Sequence, residues 1–310
     1  MRALWPLLLV LALWSAIAAT AGAAPLEAQA LAAVNADRQA AGLPPLALSE
    51  RLNRTARAHA DDMARRRYFD HASPEGETAK ERFRAAGGSP WLAVAENLAR
   101  CQGCAGEVGA ARIARLQAGW MASTDHRRNL LGAAFDRFGF GVARDDADGL
   151  YAVQVFAGPG APLDSGAGEE GAVAQAVPPA IAADLVADRI GSARRAAGRA
   201  PLAASEVLAE TAAALLPDAG APLALPADSI AALPPAARGD WARIVVLGAA
   251  CGACGRAVTD ADLRAFAESW LSRQRERAAL LEDGLTHLGL ATAAPEPGRK
   301  VAILVAGRRR

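Results

Sequence analysis

The chain has 310 residues, of which 52% are hydrophobic and 22% charged, with a formal net charge of +1. This length and balance describe a globular protein with room for two hydrophobic cores. The near-neutral charge argues against nucleic-acid binding, which needs a basic face; the run Arg308, Arg309, Arg310 is the local exception and reads as a solvated chain end.

Arg2 precedes an uncharged apolar stretch over 4–17, followed by the small residues Ala19, Ala21 and Ala23. This is the pattern of an export signal over 1–23. It predicts a secreted or periplasmic protein with no stable transmembrane segment once the signal is removed. A helix is expected over 26–41, with Leu31 and Val34 on one face and Gly42 placed to end it. Pro44 and Pro45 make 43–46 an extended connector. Ser49 then reads as an N-cap with Glu50 in the first turn. The helix that follows sets Leu52, Ala56, His59 and Met63 on one stripe. A loop over 68–76 leads to a short helix over 78–86, an extended segment over 91–99 and a helix over 109–123 with Ile113, Leu116 and Trp120 inward. Alternation at Phe138, Phe140 and Val142 and at Tyr151, Val153 and Val155, around a polar turn, predicts a β-hairpin. Helices first and an antiparallel pair last make an α+β arrangement.

The chain is also written twice. Arg38, Gly42, Pro45, Leu46, Ser49 and Glu50 return 156 residues later as Arg194, Gly198, Pro201, Leu202, Ser205 and Glu206. Trp91, Cys101, Cys104 and Trp120 return 150 residues later as Trp241, Cys251, Cys254 and Trp270. Two tandem copies of one fold account for this, with a first domain over 26–158, a Gly/Ala/Glu-rich linker over 159–177 and a second domain over 178–307. The second copy is expected to carry one helix over 262–281. It keeps the framework and loses the reactive side chains: His59 becomes Leu215, Glu96 becomes Val246, His126 becomes Glu276, and the segment holding His71 is shortened.

Export makes disulfides the default for the four cysteines, Cys101 with Cys104 and Cys251 with Cys254, each within its own loop. A shared zinc site of four thiolates is one alternative. Redox chemistry is another, and it requires a strand–CxxC–helix setting.

In the first copy His71, Glu96 and His126 fall beside apolar residues. Two imidazoles and a carboxylate are a common ligand set for Zn²⁺ with an open position. Five ordered motifs carry a resemblance: Val34, Asn35 and Arg38 with Gly42, Pro45 and Leu46; Phe69, His71, Ser73, Pro74 and Gly76; Ala95, Glu96, Asn97 and Leu98; Trp120, Ser123, His126, Arg127 and Asn129; Gly139, Gly141 and Val142. Over about 26–158 the chain resembles a bacterial domain of the CAP (SCP-like) superfamily, which includes the cysteine-rich secretory proteins, antigen 5 and pathogenesis-related 1 proteins. The resemblance implies an α-β-α sandwich with an antiparallel sheet, and a cleft at His71, Glu96 and His126 that holds zinc or another divalent cation. Ser123 stands where eukaryotic members carry a second acidic residue. His59, Ser123 and Asn97 are candidates to line the same cleft, and for His59 a place in the core is the alternative.

Three functions follow as expectations. One is a binding module for a lipid, glycan or peptide. Another is a metal-assisted hydrolase, peptidase or esterase, with Glu96 as base. The last is a structural envelope protein whose degenerate second domain makes contacts with partners; for the trio itself, the alternative to a metal or ligand site is a hydrogen-bonded network that fixes loops over the sheet.

Overall fold

The computed structural model describes residues 24–163 and 175–310. The expected export signal over 1–23 and the linker segment 164–174 lie outside the described residues. Among the described residues no helix is long and apolar enough to cross a membrane.

The chain folds into a mixed α+β structure with two four-stranded sheets. Helix α1 (Leu26–Ala40) ends at Gly42, whose φ of 72° suits glycine. Strand β1 (Ala47–Leu48) leads to Ser49, whose side chain accepts from the Leu52 N–H and starts α2 (Glu50–Arg66). Thr78 and Glu81 form a capping box on α3 (Ala79–Ala85). Then follow β2 (Ala93–Cys101), α4 (Ala110–Ala122), α5 (Thr124–Leu130), β3 (Arg137–Arg144) and β4 (Leu150–Gly158). The sheet order is β1-β3-β4-β2. The expected hairpin is present, but β1 runs parallel to β3, so the sheet is not wholly antiparallel.

Three layers result. On one face α2 and α3 bury Leu52, Ala56, Met63 and Phe83 against Leu98, Val153 and Val155. On the other, α1, α4 and α5 bury Val34, Ile113, Trp120 and Leu130 against Phe138, Phe140 and Phe156. Each such burial stabilises by roughly 1.5–3 kcal/mol before entropy is counted. A Cβ at Gly139 would overlap the backbone of Leu52, and one at Gly141 the backbone of Arg57, so α2 rests directly on β3.

The C-terminal half contains α6 (Pro179–Ala196), β5 (Ala203–Ala204), α7 (Glu206–Ala214), a short 3-10 helix (Pro235–Asp240), β6 (Trp241–Gly252), α8 (Asp260–Ser272), α9 (Gln274–Leu280), β7 (His287–Glu296) and β8 (Arg299–Arg309). Its strand order, β5-β7-β8-β6, parallels that of the first sheet. One expected helix is two here: Arg273, with φ −85° and ψ 125°, breaks the chain between α8 and α9, as Ser123 does between α4 and α5. The arginines at the end are exposed, yet Arg308 and Arg309 belong to β8 and pair across to β6 rather than forming a loose end.

Both halves use one buried arginine to close the framework. Arg38 donates to the carbonyls of Pro44, Leu130 and Gly132, at 2.9, 2.9 and 3.0 Å. Arg194 donates to Ala200, Leu280 and Leu285, at 2.7, 2.5 and 3.3 Å. In each case the guanidinium satisfies carbonyls left open at a helix C-terminus, where positive charge is also favoured by the dipole. Both disulfides, Cys101–Cys104 and Cys251–Cys254, are formed. The halves touch where the second cysteine loop meets Trp91: the Ala253 N–H donates to the Trp91 carbonyl at 2.7 Å, and the Gly255 N–H to that of Pro159 at 2.8 Å. The Arg299 guanidinium lies 4.5 Å from the centroid of the Trp91 ring.

Candidate functional site

Glu96 is the centre of the site. It lies in the middle of β2, opposite Val155 of β4, on the face covered by α2. Its side chain is only 2% exposed, so an ionised carboxylate there requires partners. Arg82 of α3 supplies the charge: its Nη2 donates to Glu96 Oε2 at 3.0 Å and to Oε1 at 3.3 Å. The same guanidinium donates to the His71 carbonyl at 2.9 Å and the Glu77 carbonyl at 2.6 Å, which ties the loop before α3 to the sheet. His71 Nδ1 lies 3.0 Å from Glu96 Oε1. His59 Nε2 lies 3.8 Å from the same oxygen.

The helical stripe places His59 in the α2 packing face. It is buried to 1% exposure in the α2 packing face and stands beside the carboxylate. Its Nε2 also meets the Asp70 carbonyl at 3.0 Å, and its Nδ1 meets the Tyr68 hydroxyl at 3.4 Å. Tyr68 in turn donates to Asp62 Oδ2 at 2.8 Å.

The three imidazoles titrate differently because their surroundings differ. Burial pushes His59 below the ordinary histidine range, against the pull of Glu96. The hydrogen bond that His71 donates to Glu96 holds His71 above that range. Burial lowers His126, and the proximity of His71 lowers it further. His71 is 59% exposed at the side chain and His126 is half-buried, so both are open to solvent.

Asn97 lies on the opposite face of β2 from Glu96. Its Nδ2 donates to the His126 carbonyl at 3.1 Å and to Gln154 Oε1 at 3.2 Å, while its Oδ1 accepts from Asn129 at 2.9 Å. Asn129 also donates to the Glu96 carbonyl at 3.2 Å. Asn97 and Asn129 thus hold the backbone on either side of the site and do not line it. Ser123 marks the break that sends α5, and with it His126, in a new direction. Arg82 has no counterpart among the residues read from the sequence. The signal available was the buried carboxylate itself, which demands a cation.

Among the described residues, one set of three candidate ligands has its donor atoms all within 4.8 Å of one another: Cys251, Cys254 and Asp262. His71, Glu96 and His126 are not drawn together that tightly. Glu96 is turned toward Arg82 and the histidines as an acceptor, which leaves the two solvent-open imidazoles as the available donors.

Residues 31–156 match the family described as the cysteine-rich secretory protein family, CAP. Residues 31–156 belong to the CAP superfamily. The uncharacterised protein YkwD of Bacillus subtilis (strain 168) is 36% identical over 115 residues, which cover 37% of this chain and 41% of that protein. An extracellular protein containing an SCP domain from Bacillus anthracis is 30% identical, covering 42% of this chain and 39% of that one, with a TM-score of 0.34. A cysteine-rich secretory protein from Staphylococcus aureus is 19% identical, covering 43% of this chain and 39% of that one, with a TM-score of 0.31. The chain thus spans about two fifths of the length of these relatives.

Proposed function

We propose that the CAP domain is a binding module of a secreted or periplasmic protein, whose cleft holds a divalent cation between His71 and His126. Its organic ligand would be a lipid, glycan or peptide. The observation that carries this reading is the way Glu96 is used. Both of its oxygens accept from Arg82, and Oε1 also accepts from His71. A carboxylate so engaged is a poor general base, which speaks against the hydrolase. It is well suited to orient an imidazole: with Nδ1 bonded to a carboxylate, His71 presents Nε2 outward, the arrangement usual for a metal-bound histidine. The donor set fits zinc, which accepts imidazole nitrogen readily and would leave positions open for ligand or water. A bound cation of this kind would polarise or anchor an oxygen of the ligand, while Arg82, Glu96 and Asn97 keep the two histidines in place.

We propose further that 178–307 is a degenerate second copy of the domain. Its matching strand order, buried Arg194 and equivalent disulfide support this, and Leu215, Val246 and Glu276 give it no cleft of the same chemistry.

Calorimetric titration of the purified protein with zinc chloride tests the site. One equivalent is expected to bind at pH 7.5, none in His71→Ala or His126→Ala, and about 10–100-fold more weakly in Glu96→Gln. Because His71 holds its proton to higher pH than a free histidine, affinity should begin to fall above about pH 6.5 on acidification. Absence of uptake at every pH would leave a polar network and defeat the metal site. Turnover of peptide or ester substrates that is lost in Glu96→Gln while zinc still binds would favour the hydrolase.

A further inference from the structure

The two disulfides occupy equivalent places but different surroundings. Cys101 of β2 lies directly opposite Leu150 of β4. Cys251 of β6 lies directly opposite Lys300 of β8. Residues paired in this way share a face of the sheet, so Lys300 lies alongside Cys251. From α8, Asp262 reaches the same spot, with one carboxylate oxygen within 4.8 Å of both sulfurs. Lys300 Nζ donates to Asp262 Oδ2 at 2.5 Å, and both side chains are 0% exposed. Asp262 Oδ2 also accepts from the Thr259 N–H and hydroxyl, whereas Oδ1 is buried without a partner. In the first half the residue corresponding to Asp262 is Arg112, half-buried near the start of α4.

A disulfide that only closes a loop gains nothing from this. Burying an ion pair carries a desolvation cost of several kcal/mol per ion, and an apolar pair of similar volume does the structural work as well or better. Leu150 shows that the fold accepts an aliphatic residue opposite the cysteine. Nor is the site suited to a metal ion, because the Lys300 ammonium, bonded to Asp262 and opposite Cys251, opposes a divalent cation. What an ammonium favours there is thiolate. The strand–CxxC–helix order is also met, since β6 runs into the cysteines and α8 begins at Asp260.

We propose that Cys251–Cys254 is a thiol–disulfide exchange site that takes an external dithiol as its reductant. Cys251 is half-buried, while Cys254 is 2% exposed and covered where the loop docks on Trp91. The incoming thiolate attacks Cys251 Sγ, the sulfur–sulfur bond breaks, and its electron pair leaves on Cys254 Sγ. Lys300, paired to Asp262 beside the sulfurs, stabilises that buried thiolate. The second thiol of the dithiol then attacks its own sulfur in the mixed disulfide and releases Cys251. The dithiol becomes a disulfide, Cys251–Cys254 gains two electrons, one proton of the dithiol ends on Cys251 and the other passes to water, which leaves Cys254 as the thiolate.

The test equilibrates the purified protein in glutathione buffers of graded poise, then alkylates and maps the free thiols of each pair by mass spectrometry. An equilibrium reading does not depend on how exposed each pair is. Cys251–Cys254 should favour the dithiol at least tenfold more than Cys101–Cys104 in the same molecules. Equal or lower reducibility would overturn the proposal. Lys300→Met should shift the second pair about tenfold toward the disulfide, and Asp262→Asn should shift it toward the dithiol. A merely structural role moves both variants in the same direction. If either single variant fails to fold, Lys300→Met/Asp262→Leu removes the charges together, and its second pair should then behave like the first. Retention of the wild-type equilibrium in that double variant would also overturn the assignment.

Discussion

The two halves share a framework and differ in where they bury charge. In the N-terminal half the buried carboxylate is Glu96, at the centre of a strand and facing two histidines and an arginine. In the C-terminal half the equivalent strand position is Val246, and the buried carboxylate is Asp262, beside the cysteines and Lys300. The strand order, the arginine that closes the helix ends and the disulfide are the same in both. The lesson is that the fold does not depend on the cleft. Apolar packing and backbone-directed bonds carry it, and each half can place one costly polar cluster where its chemistry requires.

The comparison is broken most severely at the shared framework. Arg38→Met and Arg194→Met each remove a buried cation and leave several carbonyls open, so each should destabilise its half by on the order of 3 kcal/mol. Urea denaturation monitored by tryptophan fluorescence would measure this, and a large loss in one variant with none in the other would end the claim of a common framework. A smaller effect separates the halves. Glu96→Ala leaves Arg82 without its carboxylate, and the loss should be about 2 kcal/mol, because Arg82 keeps its two carbonyl partners. Val246→Ala, at the matching position, should lose about 1 kcal/mol by removing apolar contacts alone. If the two losses are equal, the cleft network contributes nothing beyond packing.

The smallest effect is in the pH dependence. His59 is lowered in the folded state, so the unfolded chain binds more protons below about pH 6.5, and stability should decline as pH falls through that value. His71 is raised, so its contribution is complete below about pH 6.5 and is lost as pH rises through its folded value. The slopes are opposed, and neither exceeds about 1.4 kcal/mol per pH unit. His59→Gln should therefore flatten the acid limb and His71→Ala the neutral limb of a stability–pH curve measured by denaturation. Identical curves for the two variants would show that the histidines share one environment.

Much of this was legible in the sequence wherever the cause is local. The Ser49 cap, the Leu52 to Met63 stripe that carries His59, and the hairpin around Asp145 depend on neighbours within a few turns. The Cys–Cys pairings depend on neighbours three residues apart. Arg82, by contrast, meets Glu96 across 14 residues and through a loop, and no periodicity announces that contact. Asn97 follows Glu96 directly, and strand alternation turns it to the other face, away from the cleft it was expected to line. The helix end expected at 123 is present, whereas the break at Arg273 is set by a ψ of 125° in a residue that carries no helix-breaking signal of its own. The charge cluster around Lys300 joins a strand to a helix start 38 residues earlier, a separation over which sequence spacing says nothing.

Gly139 and Gly141 give the site its mechanical character. With no side chain between α2 and β3 at these points, there is no compressible layer through which the helix could tilt or slide. His59 is therefore borne on an unyielding floor, at a height above the sheet fixed by backbone contact. Any displacement of His71 relative to His59 must come from the loop from Tyr68 to Thr78, which carries His71 and is tethered through Arg82. His59 is thus the fixed point from which the position of Glu96 and His71 is measured.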